Sequence, residues 1–435
     1  MSRREVWVRP ITTEELRVAK RSFATRRVPT DAMRTVIGGA VRPRSGDVVL
    51  AKVTRPGNHR NIEQPNGRRS KLHEDDLIIV AYADRYATDQ YESYVPTTLG
   101  RTNLVASGGI ASEVASRSGA VRNATEITPL GLLGGENGRP INVEQFALPR
   151  VAIPAQRPRT VAVIGTSMNA GKTTTIHYLL HGLAKAGMRP GATKVTGTGS
   201  GNDYWVMLDA GAHAMLDFTD AGLASTFQHS IPRLEDAMQQ LISHLTLSGC
   251  GLNLVEIADG VFQQETSALL ESDTFKHMID AVILAGGDAM GAALGAQPLR
   301  ERNRPVVAVS GLLTKSPLAA REARVATGLP VLGLDDLLNP EVVFPLVGLD
   351  LADIRVTEPA PEAWPITLEG HDEALPTNGT PTNGTPSDGT PTDGHAEPRR
   401  PVFEQAARVA SRFTANGHGP TNGGRRFVTP VPVGA

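Results

Sequence analysis

Val161-Ala-Val-Ile-Gly165-Thr-Ser-Met-Asn169-Ala170-Gly171-Lys172-Thr173-Thr174-Thr175 is the stretch that decides the fold. The run Thr160 to Ile164 reads as a strand buried on both faces, as in a parallel sheet. Gly165 through Thr173 reads as a full match to the phosphate-loop pattern G-x-x-x-x-G-K-[ST]. Ile176, Leu179, Leu180 and Leu183 then fall on one helical face. Strand, glycine-bearing loop and helix in that order make an anion cradle. Glycine lets backbone N–H groups curl inward, and the helix N-terminus adds its dipole. The expected nucleotide contacts are Gly165, Thr166, Asn169, Ala170, Gly171, Lys172, Thr173 and Thr174. Lys172 is expected to meet the β- and γ-phosphates as a point charge, and Thr173 to hold Mg²⁺.

From this centre the pattern runs strand, helix, strand, helix, which predicts a doubly wound parallel sheet over 159–357. Core strands are expected at Gly191 to Lys194, Leu252 to Glu256, Ala281 to Ala285 and Val306 to Ser310, with an edge strand at Pro330 to Leu334. Helices are expected from Asp203, over Leu234 to Leu247, and at about 290–302 and 317–327. Asp217-Phe-Thr-Asp220-Ala-Gly222 reads as a loop bearing two carboxylates.

Upstream, the proline-punctuated segment 149–158 reads as a linker. Residues 1–148 form the expected N-terminal domain, α+β and barrel-like. It opens on a capped helix at Thr12-Thr13-Glu14-Glu15, with a second short helix over Thr30 to Ile37. Alternation at Gly46 to Thr54, the Asn66-Gly67 turn signal and the strand Asp76 to Tyr82 predict a small barrel over about 42 to 100. Leu104 to Ala115 reads as a strand turning into a helix, and Thr125 to Leu133 as a strand. Downstream, the repeated pentapeptide from Pro376 has no apolar face to bury, so 358–435 is expected to be a disordered tail with a short helix at 402–413.

Composition bounds the function. The 435 residues carry 44 Lys+Arg against 45 Asp+Glu, a balance that argues against a chain coated in nucleic acid. The basic residues Arg42, Arg44, Lys52, Arg55, His59, Arg60, Arg68, Arg69 and Lys71 read first as a solvated strand face, because stacking aromatics within those strands are missing. A nucleic-acid partner is thus the disfavoured reading. The single cysteine, Cys250, excludes an internal disulfide. With neither a signal-peptide pattern nor a run of about 18 apolar residues, a cytoplasmic protein without membrane contact is expected.

Loops at the carboxyl ends of parallel strands converge on the ligand. Three stretches therefore join the phosphate loop: Lys194 with the Gly/Thr loop behind it and Asp203 beyond, Glu256 with Asp259, and Ser310 to Lys315. Mg²⁺ wants oxygen ligands, and Thr173, Asp203 and Glu256 would supply them. Thr314-Lys315-Ser316-Pro317 is not the guanine-reading Asn-Lys-x-Asp, so ATP is preferred over GTP.

Gly165-Thr-Ser-Met-Asn-Ala-Gly-Lys-Thr-Thr, then Ala192-Thr-Lys194-Val-Thr-Gly-Thr-Gly, then Leu254-Val-Glu256 together resemble dethiobiotin synthetase and the related cobyrinic-acid-type amide synthases. The resemblance covers roughly 159 to 337. It implies that Lys172 and Thr173 hold phosphate and metal, that Asp203 and Glu256 complete the Mg²⁺ site, and that Lys194 contacts the substrate's reacting group. It also implies a homodimer. The family's Glu-Gly-Ala-Gly-Gly stretch is here Glu256-Ile-Ala-Asp-Gly260, and the lysine strand lacks the family's proline. A weaker likeness, through the Thr-Gly strand and Asp217-Phe218, is to phosphate-loop acyl-transfer enzymes of D-amino-acid metabolism.

The expected function is ATP/Mg²⁺-dependent phosphorylation of a carboxylate or carbamate on a small-molecule substrate, for amide or ring formation, with Lys172 and Lys194 as the catalytic lysines. The alternative is a regulatory or chaperone-like NTPase switch acting on a protein or nucleic acid.

Overall fold

Two hydrophobic periodicities, continuous and alternating, sort the chain into two large sheets, beside a separate two-stranded one. The computed structural model describes residues 5–350. The repeats from Pro376 and the helix expected at 402–413 lie outside the described residues.

Six parallel strands lie in the spatial order Ala214–Asp217, Pro190–Lys194, Leu252–Glu256, Thr160–Gly165, Ala281–Ala285, Val306–Ser310. Helices cover both faces. On one, Leu234, Leu241 and Leu245 of the helix Ile231–Leu247 pack with Leu269 and Phe275. On the other, Ile176, Leu179 and Leu183 of the helix Lys172–Lys185 pack with Met207 and Phe344. The chain leaves Thr160–Gly165 toward one edge and later crosses to the other, so the switch-point crevice opens at that strand's carboxyl end.

The N-terminal sheet has ten strands. Five of them close a ring: Thr125–Gly134 pairs with Val48–Arg55, then Leu77–Tyr82, Ile110–Arg117 and Thr102–Ala106, which pairs back to the first. This is the barrel, drawn from strands between 48 and 134 rather than from 42 to 100. Alternate residues feed two cores, Val49, Ala51 and Val53 in one and Val48 and Leu50 in the other. The Asn66-Gly67 turn joins the antiparallel strands Asn61–Glu63 and Arg69–Lys71 as expected. The capping box of Thr12 and Glu15 is also present.

Several expectations are corrected. Thr30 to Ile37 is a single 3-10 turn, Thr30–Ala32, followed by the strand Thr35–Gly38. Its β-branched Val36 and Ile37 are held between two strand neighbours. The stretch from Leu104 is a hairpin, not a strand and helix: Gly109, at φ +100°, turns Thr102–Ala106 back into Ile110–Arg117. Ala214–Asp217 is an edge strand inside a stretch read as helix then loop. Pro330 to Leu334 makes only one bridge, Val309 to Val331, and is no strand.

The two sheets belong to one compact unit. Phe23, near the N-terminus, packs in the core of the parallel sheet and lies 5.6 Å from the ring of Tyr204. Arg26 follows it across, donating to Asp220 Oδ2 at 2.6 Å and Asp217 Oδ1 at 3.2 Å, with all three side chains nearly buried. No helix among the described residues is long and apolar enough to cross a membrane.

Candidate functional site

The chain leaves the fully buried strand Thr160–Gly165 and enters the helix Lys172–Lys185 through Thr166 to Gly171. Five residues separate Gly165 from Gly171, one more than in G-x-x-x-x-G-K-[ST], so the loop is not a full match to that pattern. Gly171 caps the helix at φ +100°, and a Cβ there would stand 3.0 Å from Gly311 Cα. The loop after Val306–Ser310 is thereby seated against the phosphate loop, and Leu312 N donates to Ala170 O at 3.0 Å. Thr166 N is anchored on Ala285 O at 2.9 Å. A Cβ on Gly165 would stand 2.8 Å from Lys172 Nζ.

The backbone N–H groups of Asn169, Gly171, Lys172 and Thr173 donate to no protein acceptor among the described residues. That donor set fits a phosphate group. Thr174 follows on the exposed side of the first turn. Lys172 is 4% exposed and folds back over its own loop, donating to Ser167 O at 2.8 Å, Met168 O at 3.0 Å and Asp259 O at 2.8 Å. Burial pushes its pKa down to about 8, against the pull of Glu256.

Lys194 and Glu256 end neighbouring strands in direct register. Glu256, 1% exposed, accepts from Thr173 Oγ1 at 3.2 Å through Oε2 and lies 3.4 Å from Lys194 Nζ through Oε1. Lys194 also pairs with Asp203. Burial alone would lower the Lys194 pKa, but Asp203 and Glu256 together outweigh it and raise it. Burial likewise opposes ionisation of Asp203, and the Lys194 ammonium overcomes it to hold that carboxyl below its ordinary value.

Ser200 is the N-cap of Gly201–Asp209, and Asp203 lies in the first turn. The cap's acceptor comes from the two-stranded sheet of the N-terminal part: Glu63 Oε2 takes Gly201 N at 2.7 Å and Ser200 Oγ at 3.3 Å.

Thr173, Asp203 and Glu256 offer the hydroxyl and carboxylate oxygens that Mg²⁺ prefers, and the two acids already share one ammonium. The set fits a hard dication completed by water and phosphate oxygen. Among the described residues no group of three His, Cys, Asp or Glu side chains converges as a metal site, so the hydroxyl and the ligand's own oxygens are needed.

The site has residues that no sequence motif marked. Asp89, from the N-terminal sheet, accepts from Asn169 Nδ2 at 3.0 Å. Asp259, which the sequence had already brought to the loop with Glu256, holds a left-handed backbone at φ +60°, and burial pushes its carboxyl up. A small cleft beside the loop that follows Lys194 is lined by Tyr86 as well as Thr196, Thr198, Thr226, Phe227 and Asp259. Three residues of the basic stretch are matched by acids: Lys52 pairs with Asp75, Arg55 with Glu126 and Arg69 with Glu63.

No protein-family model matches the chain, and no curated protein matches it. Among solved structures, the chain is similar to the signal recognition particle 54 kDa protein of Aeropyrum pernix in complex with GDP. That match has 19% identity and a TM-score of 0.30, over 46% of this chain and 49% of that one. A DUF1611 family protein from Anabaena variabilis matches at 16% identity and TM-score 0.32, over 45% and 62%. Chloroplast FtsY from Physcomitrella patens matches at 16% and 0.30, over 44% and 66%. The chain thus spans about half to two thirds of the length of these structures.

Proposed function

We propose that the protein binds ATP with Mg²⁺ and phosphorylates a carboxylate or carbamate of a small metabolite, for capture by an amine. The observation that carries this reading is the meeting of Thr173, Glu256, Lys194 and Asp203 at the mouth of a donor-lined loop. The resemblance to dethiobiotin synthetase and the amide synthases supports the same reaction class.

In this reading the loop amides and Lys172 hold the phosphates and neutralise charge on the transferred phosphoryl. Mg²⁺, held by Thr173, Glu256 and Asp203, would supply further charge neutralisation. Lys194, kept protonated by two carboxylates, orients the anionic substrate. A substrate oxygen bonds to the γ-phosphorus as the bond to ADP breaks. The amine then attacks the acyl carbon, phosphate leaves, and the amine's proton passes to solvent or base.

The test is trapping. With MgATP, a pooled metabolite extract and hydroxylamine, an acyl phosphate is converted to a hydroxamate. Hydroxamate that depends on ATP and on Lys172 supports the reading, and ATP turnover without it points to a plain phosphatase or switch.

A second reading, an NTPase switch, is favoured by the Asn169–Asp89 bond, which ties the phosphate loop to the other sheet. It predicts turnover indifferent to metabolites, and nucleotide-dependent change in protease sensitivity of the N-terminal sheet.

A further inference from the structure

The small cleft beside the loop that follows Lys194 takes its walls from both parts of the chain. Tyr86 comes from a two-residue strand of the N-terminal sheet, and its ring centre lies 5.5 Å from that of Phe227. Both rings line the cleft, and Asp259 and Glu265 line it with them. No Lys, Arg or His is among its lining residues. Its room is on the order of one water molecule, which suits a small polar group and excludes a nucleobase. Gly197 joins it to the site, since a Cβ there would stand 3.1 Å from Lys194 Cε.

Of the two acids, Glu265 is spent, accepting from Gln228 N at 3.0 Å and from Gln263 Nε2. Asp259 differs. Its carbonyl takes Lys172 Nζ at 2.8 Å, and a Cβ on the next residue, Gly260, would stand 2.6 Å from Thr166 O. The backbone is thus pinned against the phosphate loop, while the residue also lines the cleft. Its carboxylate is largely buried and accepts no hydrogen bond among the described residues. Neither lysine nearby supplies one. Lys172 gives its three protons to the carbonyls of Ser167, Met168 and Asp259, and Lys194 is shared between Asp203 and Glu256. A largely buried carboxylate without a donor is costly until a cation reaches it.

We propose that this cleft is a subsite for a primary ammonium group, held by the Asp259 carboxylate beside the rings of Tyr86 and Phe227. The substrates then include an amine that sits next to the carboxylate held by Lys194, and the cleft takes the amine of the capture step. The amine's role in capture rests on the proposed function. The cation site rests on the cleft alone.

The experiment uses the full chain as wild type, Asp259→Asn, Tyr86→Leu and Lys172→Ala. Thermal shift is measured against methylammonium chloride, with methanol and matched NaCl as controls. Saturable stabilisation by methylammonium beyond NaCl, absent with methanol, is expected in wild type and in Lys172→Ala. Asp259→Asn keeps a side chain that tolerates the left-handed backbone and should weaken methylammonium about tenfold or more. Tyr86→Leu keeps the carboxylate and should weaken it by roughly threefold, so it decides the question if Asp259→Asn does not fold. No saturable response in wild type, an equal response to methanol, or wild-type affinity in the folded variants overturns the cation site.

The capture role is read separately. With MgATP and extract, methylamine in place of hydroxylamine should yield an N-methylamide, and Asp259→Asn should raise the methylamine concentration for half-maximal yield by about tenfold. An unchanged requirement removes the amine of the capture step from the cleft. If wild type forms no hydroxamate either, the proposed function falls, and the methylammonium titration still decides the cleft.

Discussion

Thr173 Oγ1 donates to Glu256 Oε2 at 3.2 Å, across the gap between the helix that follows the phosphate loop and the end of a neighbouring strand. The strand delivers Glu256 in register with Lys194, and Lys194 brings in Asp203. One hydroxyl, one ammonium and two carboxylates are thus gathered where a bound phosphate would end.

Glu256→Gln removes one carboxylate from this group and leaves Asp203 to balance Lys194. The expected result is a Mg²⁺ requirement raised by roughly tenfold, the loss of one charge-assisted contact. Titrating Mg²⁺ against AMPPNP affinity checks it, and an unchanged requirement removes Glu256 from the metal set.

Lys172 predicts a pH dependence with opposite signs for binding and stability. Burial lowers its pKa from 10.5 to about 8. Phosphate is best held by the charged form, so affinity falls as pH rises through about 8. The unfolded chain binds more protons between 8 and 10.5, so this group's contribution to stability rises across that window. Nucleotide affinity and melting temperature measured on either side of pH 8 test both signs. Lys172→Met should abolish the two trends together.

Arg26→Met leaves the carboxylate of Asp217 buried without its cation and Asp220 with Arg27 alone, 3.4 Å away. Breaking a buried pair this way costs about 3–5 kcal/mol. Urea unfolding is the check, and a loss well under about 1 kcal/mol, the range of an exposed pair, would show that the link between the sheets is expendable.

Glu63→Gln weakens the charge at the N-terminus of Gly201–Asp209 while keeping an acceptor oxygen. A loss of about 0.5–1 kcal/mol is expected from the dipole alone. Because that turn carries Asp203, the substitution should also raise the Mg²⁺ requirement, and an effect on stability alone would confine Glu63 to a structural role.

The parallel sheet was legible in the sequence because its strands are continuous apolar runs that end in polar loops. Lys194 and Glu256 could be placed there because a strand end fixes where a side chain emerges. The edge strand Ala214–Asp217 escaped because four residues carry too little period, and Thr30 to Ile37 misled because its spacing suits either a helix or a turn and strand. The contacts of Arg26, Glu63 and Asp89 were not legible at all. Each reaches from the N-terminal part of the chain to the parallel-sheet part, and local pattern holds no record of which loop meets which.

The most direct measurement is ATP turnover with Mg²⁺ by wild type and Lys172→Ala, with and without a pooled metabolite extract. The account predicts slow turnover alone, a sharp rise with extract, and neither in Lys172→Ala. Turnover indifferent to the extract, or retained by Lys172→Ala, would contradict it.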